Sequence, residues 1–237
     1  MTGTGLIQVA GVIDRREAEM LIACGVQWLG FPLRLPVHRE DLSETRAAAI
    51  IAGFPERVRG LLITYLDEAG EIAGLCRRLG VDWVQLHGDI AVEELARLRR
   101  ARPRLRVIKS LIVGRYRPAE LRRQIEATAG LVDGYITDTY DPVTGASGAT
   151  GRTHDWAVSR ALAALSPRPL ILAGGLTPDN VREAIRQVRP AGVDVHTGIE
   201  GPDGRKDAAM TRRFLYEARA GFAGVERRAA RSGPAFP

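Results

Sequence analysis

Residues 133–138 read Asp133-Gly134-Tyr135-Ile136-Thr137-Asp138, an apolar strand that ends in an acid. Along a strand, positions 134, 136 and 138 share one face. An aspartic acid at the mouth of such a strand, its pKa raised by burial, is suited to general acid catalysis. The plainer alternative is a carboxylate tied to loop N–H groups. A second segment, Leu172-Ala173-Gly174-Gly175-Leu176-Thr177-Pro178-Asp179-Asn180, suits anion binding. Paired glycines let backbone N–H groups approach an anion closely. Thr177 is positioned to cap a helix that Pro178 starts, and the helix N-terminus adds partial positive charge. Further on, Asp194-Val195-His196-Thr197-Gly198-Ile199-Glu200 again carries glycine at a turn. Gly174, Gly175, Thr197 and Gly198 are therefore the expected phosphate contacts, set against a reading as two tight turns without a ligand. His87, in Gln85-Leu86-His87-Gly88-Asp89, either hydrogen-bonds in the site or braces loops. The glycine-rich stretch Gly145 to Gly151, inside a long loop from Thr139 to Thr153, reads as a lid or as a connector.

These residues need a scaffold, and the pattern supplies one. Strands are expected at Leu6–Ala10, Gln27–Phe31, Val58–Thr64, Trp83–Leu86, Arg106–Leu111, Gly134–Asp138, Leu170–Ala173 and Val193–His196. Amphipathic stretches near 15–24, 42–53, 68–79, 91–101, 118–129, 155–165, 178–188 and 207–222 separate them, with apolar residues at i, i+3 and i+4. Strands joined through helices run parallel with right-handed crossovers. Eight such units predict a single α/β domain, a closed (β/α)8 TIM barrel over residues 1–223, with 224–237 as a flexible, solvated C-terminal tail. An open doubly wound sheet would carry G-x-G-x-x-G after its first strand, and Ala10-Gly11-Val12-Ile13-Asp14 does not. In a barrel the active site lies at the C-terminal strand ends, and the loops after strands 7 and 8 hold phosphate. Arg39, His87, Asp89, Lys109 and Asp138 stand at the other strand ends.

Composition narrows the function classes. The chain has 237 residues, 45% hydrophobic and 26% charged, which excludes global disorder. No apolar run approaches the roughly 18 residues of a membrane span, and no signal peptide is read at the start, so a cytoplasmic protein without membrane association is expected. The net charge of +6 comes almost wholly from arginine, since Lys109 and Lys206 are the only lysines. A basic chain favours anionic ligands. Nucleic acid is not expected, because the arginines are scattered and aromatics make up only 5%. Cys24 and Cys76 lack metal-ligand spacing and read as buried thiols of a reducing compartment. No metal or cofactor is called for. The expected partner is a phosphorylated small molecule, on a monomer or homodimer.

Taken together, the motifs resemble phosphoribosylanthranilate isomerase, from about residue 6 to residue 217. Gly30-Phe31 with Arg39 is similar to the family's second-strand loop, and Gln85-Leu86-His87-Gly88 to its fourth-strand motif. Gly148-Ala149-Thr150-Gly151 with Asp155-Trp156 resembles its sixth loop, and Leu172–Leu176 with Asn180 its seventh. Asp194 to Glu200 with Gly204, Lys206 and Asp207 resembles its closing segment. The resemblance implies an Amadori rearrangement with Asp138 as general acid, and Arg39 as a clamp for an aromatic carboxylate. It also implies a cysteine base in strand 1, within Lys-Ile-Cys-Gly. This chain has Gln8-Val9-Ala10-Gly11 instead, so the base position is degenerate at Ala10. His196, on the neighbouring eighth strand, is either a replacement base or a histidine bonded behind the phosphate loop. Three functions remain open at this point. The first is Amadori-type isomerisation of a phosphorylated sugar amine. The second is different chemistry on a phosphorylated sugar or phosphate ester, worked by Asp138, His87, Lys109 or His196, with Lys109 either a Schiff-base lysine or one simply paired with a carboxylate. The third is a catalytically silent barrel that binds a phosphate ligand.

Overall fold

The computed structural model describes residues 5–35, 42–140, 151 and 153–231. Its strands are β1 (Leu6–Ala10), β2 (Trp28–Pro32), β3 (Arg59–Thr64), β4 (Trp83–Leu86), β5 (Arg106–Val113), β6 (Gly134–Thr139), β7 (Leu170–Leu172) and β8 (Gly192–Val195). The helices are α1 (Arg15–Cys24), α2 (Glu44–Ile51), α3 (Ala69–Leu79), α4 (Val92–Ala101), α5 (Pro118–Thr128), α6 (Trp156–Leu165), α7 (Val181–Val188) and α8 (Ala208–Arg231). All neighbouring strands pair in parallel, and β1 closes on β8 through Gln8 opposite Asp194, so the (β/α)8 TIM barrel is the fold observed.

Local signals set the element ends. The Asp14 carboxylate accepts the Glu17 N–H at 2.8 Å and starts α1, while Gly25 at φ 96° ends it, in a left-handed conformation that favours glycine. At α5, Pro118 occupies the first turn, and Glu120 accepts the Arg117 N–H. Two ends differ from the sequence expectation. Residues 178–180 form a turn, with α7 starting only at Val181; Thr177 accepts the Asp179 N–H at 3.2 Å rather than capping the helix itself. Helix α8 also passes Gly224, where the sequence suggested a frayed end, and runs to Arg231.

Alternation along the strands makes two cores. Outward residues pack against the helices in one continuous shell that includes Leu29, Leu62, Val84, Leu111, Leu172 and Val193. Inward residues fill the barrel: Leu61, Ile63, Ile108, Ile136 and Ile171, with Ala10 and Ala173 toward the mouth. Trp28 and Trp83 meet edge to face at 4.8 Å against this inner cluster. Each fully buried aliphatic side chain contributes roughly 1.5–3 kcal/mol. Below β6, Asp133 accepts from Arg99 and Arg106 at 2.8 Å each and from the Val107 N–H at 2.9 Å. Although burial alone would raise its pKa, these donors hold Asp133 below the usual carboxylate range. It is a structural acid at the stability end of the barrel, whereas Asp138 lies one strand length away at the mouth.

Candidate active site at the barrel mouth

Ile136 is an inward residue of β6, so Asp138, two positions on, enters the barrel at its mouth. It is buried, and the Thr139 N–H donates to its Oδ1 at 2.8 Å. Burial raises its pKa; the nearby His87 and the Thr139 N–H oppose that shift without cancelling it. His87 extends the inward face of β4 and is also buried, its Nδ1 3.0 Å from the Ser110 hydroxyl. The Tyr65 ring meets the His87 ring edge-on at 4.8 Å, and burial together with the Asp138 charge pushes the Tyr65 phenol up to about 12. An acid with a raised pKa therefore faces an imidazole held by Ser110 and Tyr65. Neither partner was visible in the sequence. Tyr65 directly follows the last residue of β3, and strand-end parity is the one signal that marks Ser110.

The degenerate position, Ala10, lies directly beneath a polar cluster. A Cβ added at Gly11 would lie 2.1 Å from His196 Nε2, so the imidazole lies over the backbone that follows Ala10. His196 Nε2 is 3.6 Å from Glu200 Oε1, which in turn pairs with Lys206 Nζ at 2.6 Å. The Lys206 side chain is 1% exposed, and its Nζ lies 3.5 Å from the Gly11 carbonyl. The same corner is braced from α1. Glu17 accepts the Ile13 and Lys206 N–H groups, and Asp14 pairs with Arg205 at 2.6 Å.

Beside these groups the last two loops come together. Gly174 and Gly175 adopt φ of 97° and 60°, both in the left-handed region that favours glycine. Asn180 ties their loop down, accepting the Thr177 N–H at 2.8 Å and donating to the Gly175 carbonyl at 2.9 Å. At Gly174 an added Cβ would meet Thr139 Oγ1 at 2.2 Å; that hydroxyl contacts His154, whose burial lowers its pKa to about 4. Thr197 begins a short 3-10 turn, and Gly151 lies close enough that its Cβ would be 3.6 Å from Thr197 Oγ1. Gly198 is pressed against the β7 loop: its Cβ would stand 1.8 Å from the Leu176 carbonyl oxygen. Gly198→Ala is therefore expected to lower stability by about 1–3 kcal/mol through overpacking of backbone that cannot rotate away. Urea denaturation measures it, and an unchanged midpoint would show that the loops separate without cost.

The Schiff-base reading of Lys109 is not met. Lys109 lies between the inward residues Ile108 and Ser110, so it leaves β5 on the outer face of the barrel, and its Nζ donates to the Gly88 carbonyl at 2.9 Å. Burial lowers its pKa, but facing away from the barrel interior it is not a Schiff-base lysine for this site. Cys24 and Cys76 lie on α1 and α3, with Cys76 buried and its thiol pushed up to about 12, so neither reaches the mouth. Arg39 lies outside the described residues, as does the loop over 141–150. A cleft of about 560 Å³ is lined by Arg34, Leu35, Tyr65, Asp67, Gly88, Asp89 and Arg115. Among the described residues no cluster of three His, Cys, Asp or Glu side chains is arranged to hold a metal, and no helix is long and apolar enough to cross a membrane.

With this geometry in place, three comparisons bear on its chemistry. Residues 63–217 match the family profile described as N-(5'phosphoribosyl)anthranilate (PRA) isomerase. The chain is 36% identical over 218 residues to N-(5'-phosphoribosyl)anthranilate isomerase 2 of Methanosarcina mazei, covering 91% of this chain and 95% of the relative. Superposition on the phosphoribosyl anthranilate isomerase of Thermococcus kodakaraensis gives a TM-score of 0.74 at 30% identity, over 91% of this chain and 99% of the other. A further isomerase structure, bound to reduced 1-(o-carboxyphenylamino)-1-deoxyribulose 5-phosphate, gives 0.75 at 25% identity, over 91% and 98%.

Proposed function

The chain belongs to the phosphoribosylanthranilate isomerase family, and on that premise we propose that it isomerises N-(5'-phosphoribosyl)anthranilate, with Asp138 as acid and His196 as base. Asp138 gives its proton to the furanose ring oxygen. The C1–O bond breaks as the nitrogen lone pair forms a C1=N iminium. His196 removes the proton from C2, and the C–H electrons form the C1=C2 bond of an enolamine while the iminium nitrogen becomes neutral. The Asp138 carboxylate then takes the enol O–H proton and the His196 imidazolium returns a proton to C1, which gives the aminoketose. The phosphate docks on Gly174, Gly175, Thr197 and Gly198, as the left-handed glycines of that loop favour. Arg39 is the proposed clamp for the aromatic carboxylate, and among the described residues Arg34 and Arg115 line a cleft that could take it.

The observation that carries this reading is the pairing of a buried carboxyl at Asp138 with an imidazole over Gly11, one residue beyond the missing cysteine. The test is loss of the fluorescence of phosphoribosylanthranilate on addition of the purified protein. Turnover is expected for the wild type. An inert wild type together with an inert Ala10→Cys variant would sink the proposal. A second reading, the same rearrangement on a different phosphorylated sugar amine, is favoured by one feature: Phe31-Pro32-Leu33 opens the second loop with apolar residues where the family is more polar. Substrate competition among phosphorylated sugar amines separates the two.

A further inference from the structure

Gln8 and Asp194 are register partners on β1 and β8, and both side chains enter the barrel. The Gln8 Nε2 donates across the barrel to Gln85 Oε1 at 3.0 Å. That leaves Gln8 Oε1 buried without a donor, and Asp194 Oδ1 is buried without one as well. Two buried acceptors on register partners of adjoining strands, both lacking a proton, form an arrangement that one proton completes. We infer that Asp194 holds a proton at neutral pH and donates it to Gln8 Oε1, so that the mouth presents one ionisable carboxyl to the substrate instead of two.

Rotating both amides would offer Asp194 an N–H instead. It would also leave a carboxylate inside the barrel with an amide as its nearest polar neighbour and Asp138 as a like charge. The groups that act on Asp194 from the surrounding elements are Asp138 on β6, Lys206 before α8 and Gln8 on β1; His196 directly follows the end of its own strand. Lys206 is already committed to Glu200. Burial, reinforced by the Asp138 charge, pushes Asp194 up to about 8, against the weaker pulls of Gln8 and Lys206. The strand-1 lysine of the family motif would supply the cation that an ionised Asp194 needs, and Gln8 removes it.

The consequence for turnover rests on the reaction proposed above; the protonation does not. After Asp138 has given up its proton, a neutral Asp194 adds no second negative charge, so Asp138 remains able to take up the enol O–H proton. Asp194 is thus a positioning residue.

Two measurements need no activity. Infrared difference spectra at pH 7 should show a protonated carboxyl component that Asp194→Asn removes and Asp138→Asn keeps, and that is lost as pH rises through about 8. Asparagine mimics the neutral acid, so Asp194→Asn should fold. A group whose folded pKa exceeds its unfolded value favours the folded state below the unfolded pKa and loses that advantage as pH rises toward the folded one. The denaturation midpoint of Asp194→Asn should therefore gain on that of the wild type between pH 5 and 8 and level off above. In turnover, the alkaline limb near pH 8 should move in Asp194→Asn. A wild type with only carboxylate bands at pH 7, or a stability difference that is flat in pH, overturns the inference whether or not the enzyme isomerises its substrate.

Discussion

Asp138→Asn is expected to lower kcat/KM by about 10²–10⁴-fold, the usual contribution of a positioned general acid. Asparagine keeps the shape of the side chain and its place beside His87, so folding and substrate affinity should change little. It cannot donate a proton to a ring oxygen as a carboxylic acid does. The loss should therefore fall on kcat, with KM within a few-fold of the wild type. The pH profile supplies a second readout. The acid must be protonated to work, and burial raises the pKa of Asp138. Wild-type activity should thus extend to higher pH than an ordinary aspartic acid would allow, then fall as Asp138 ionises. Steady-state kinetics on both proteins check this. A variant within threefold of the wild type would show that Asp138 is a structural carboxylate bonded to the Thr139 N–H.

How far the sequence reaches depends on what kind of signal a residue carries. The strand and helix alternation is local, and each β segment appears within two residues of its expected place because β-branched runs and glycine stops are short-range features. Asp138 was legible for the same reason, since parity with Ile136 sends it into the barrel. The same rule applied to β5 would have excluded Lys109, because Ile108 and Ser110 claim the inner face; a polar residue near a strand end is not by itself a site residue. Thr177 was read as a cap because Pro follows it, but the Asn180 side chain closes that loop and delays α7 to Val181. The rest of the mouth is assembled by contacts far apart in the chain. Gln8 meets Gln85, Tyr65 meets His87, Asp14 meets Arg205, and His154 bridges Thr139 and Ser159. No spacing rule brings these residues together, because the closure of the barrel does so.

His196→Ala is expected to lower kcat by about 10²–10⁴-fold, comparable to the loss of any general base. An imidazole nitrogen can accept a proton directly. Its position over Gly11 puts it beside the inner face on which Ala10 presents only a methyl group. The alternative role, a histidine bonded behind the phosphate loop, makes a different prediction: KM for the phosphorylated substrate would rise and kcat would hold. Combining the substitution with Ala10→Cys separates the two roles more sharply. A thiolate at position 10, next in the chain to the Gly11 carbonyl that lies 3.5 Å from Lys206 Nζ, would perform the same proton abstraction. If His196 is the base, its removal should matter far less once that thiol is present, since two groups serving one step are not additive. Kinetics on the four proteins of the cycle measure the interaction. Equal losses in the wild-type and Ala10→Cys backgrounds would assign His196 to the phosphate loop and leave the base of this barrel to another group.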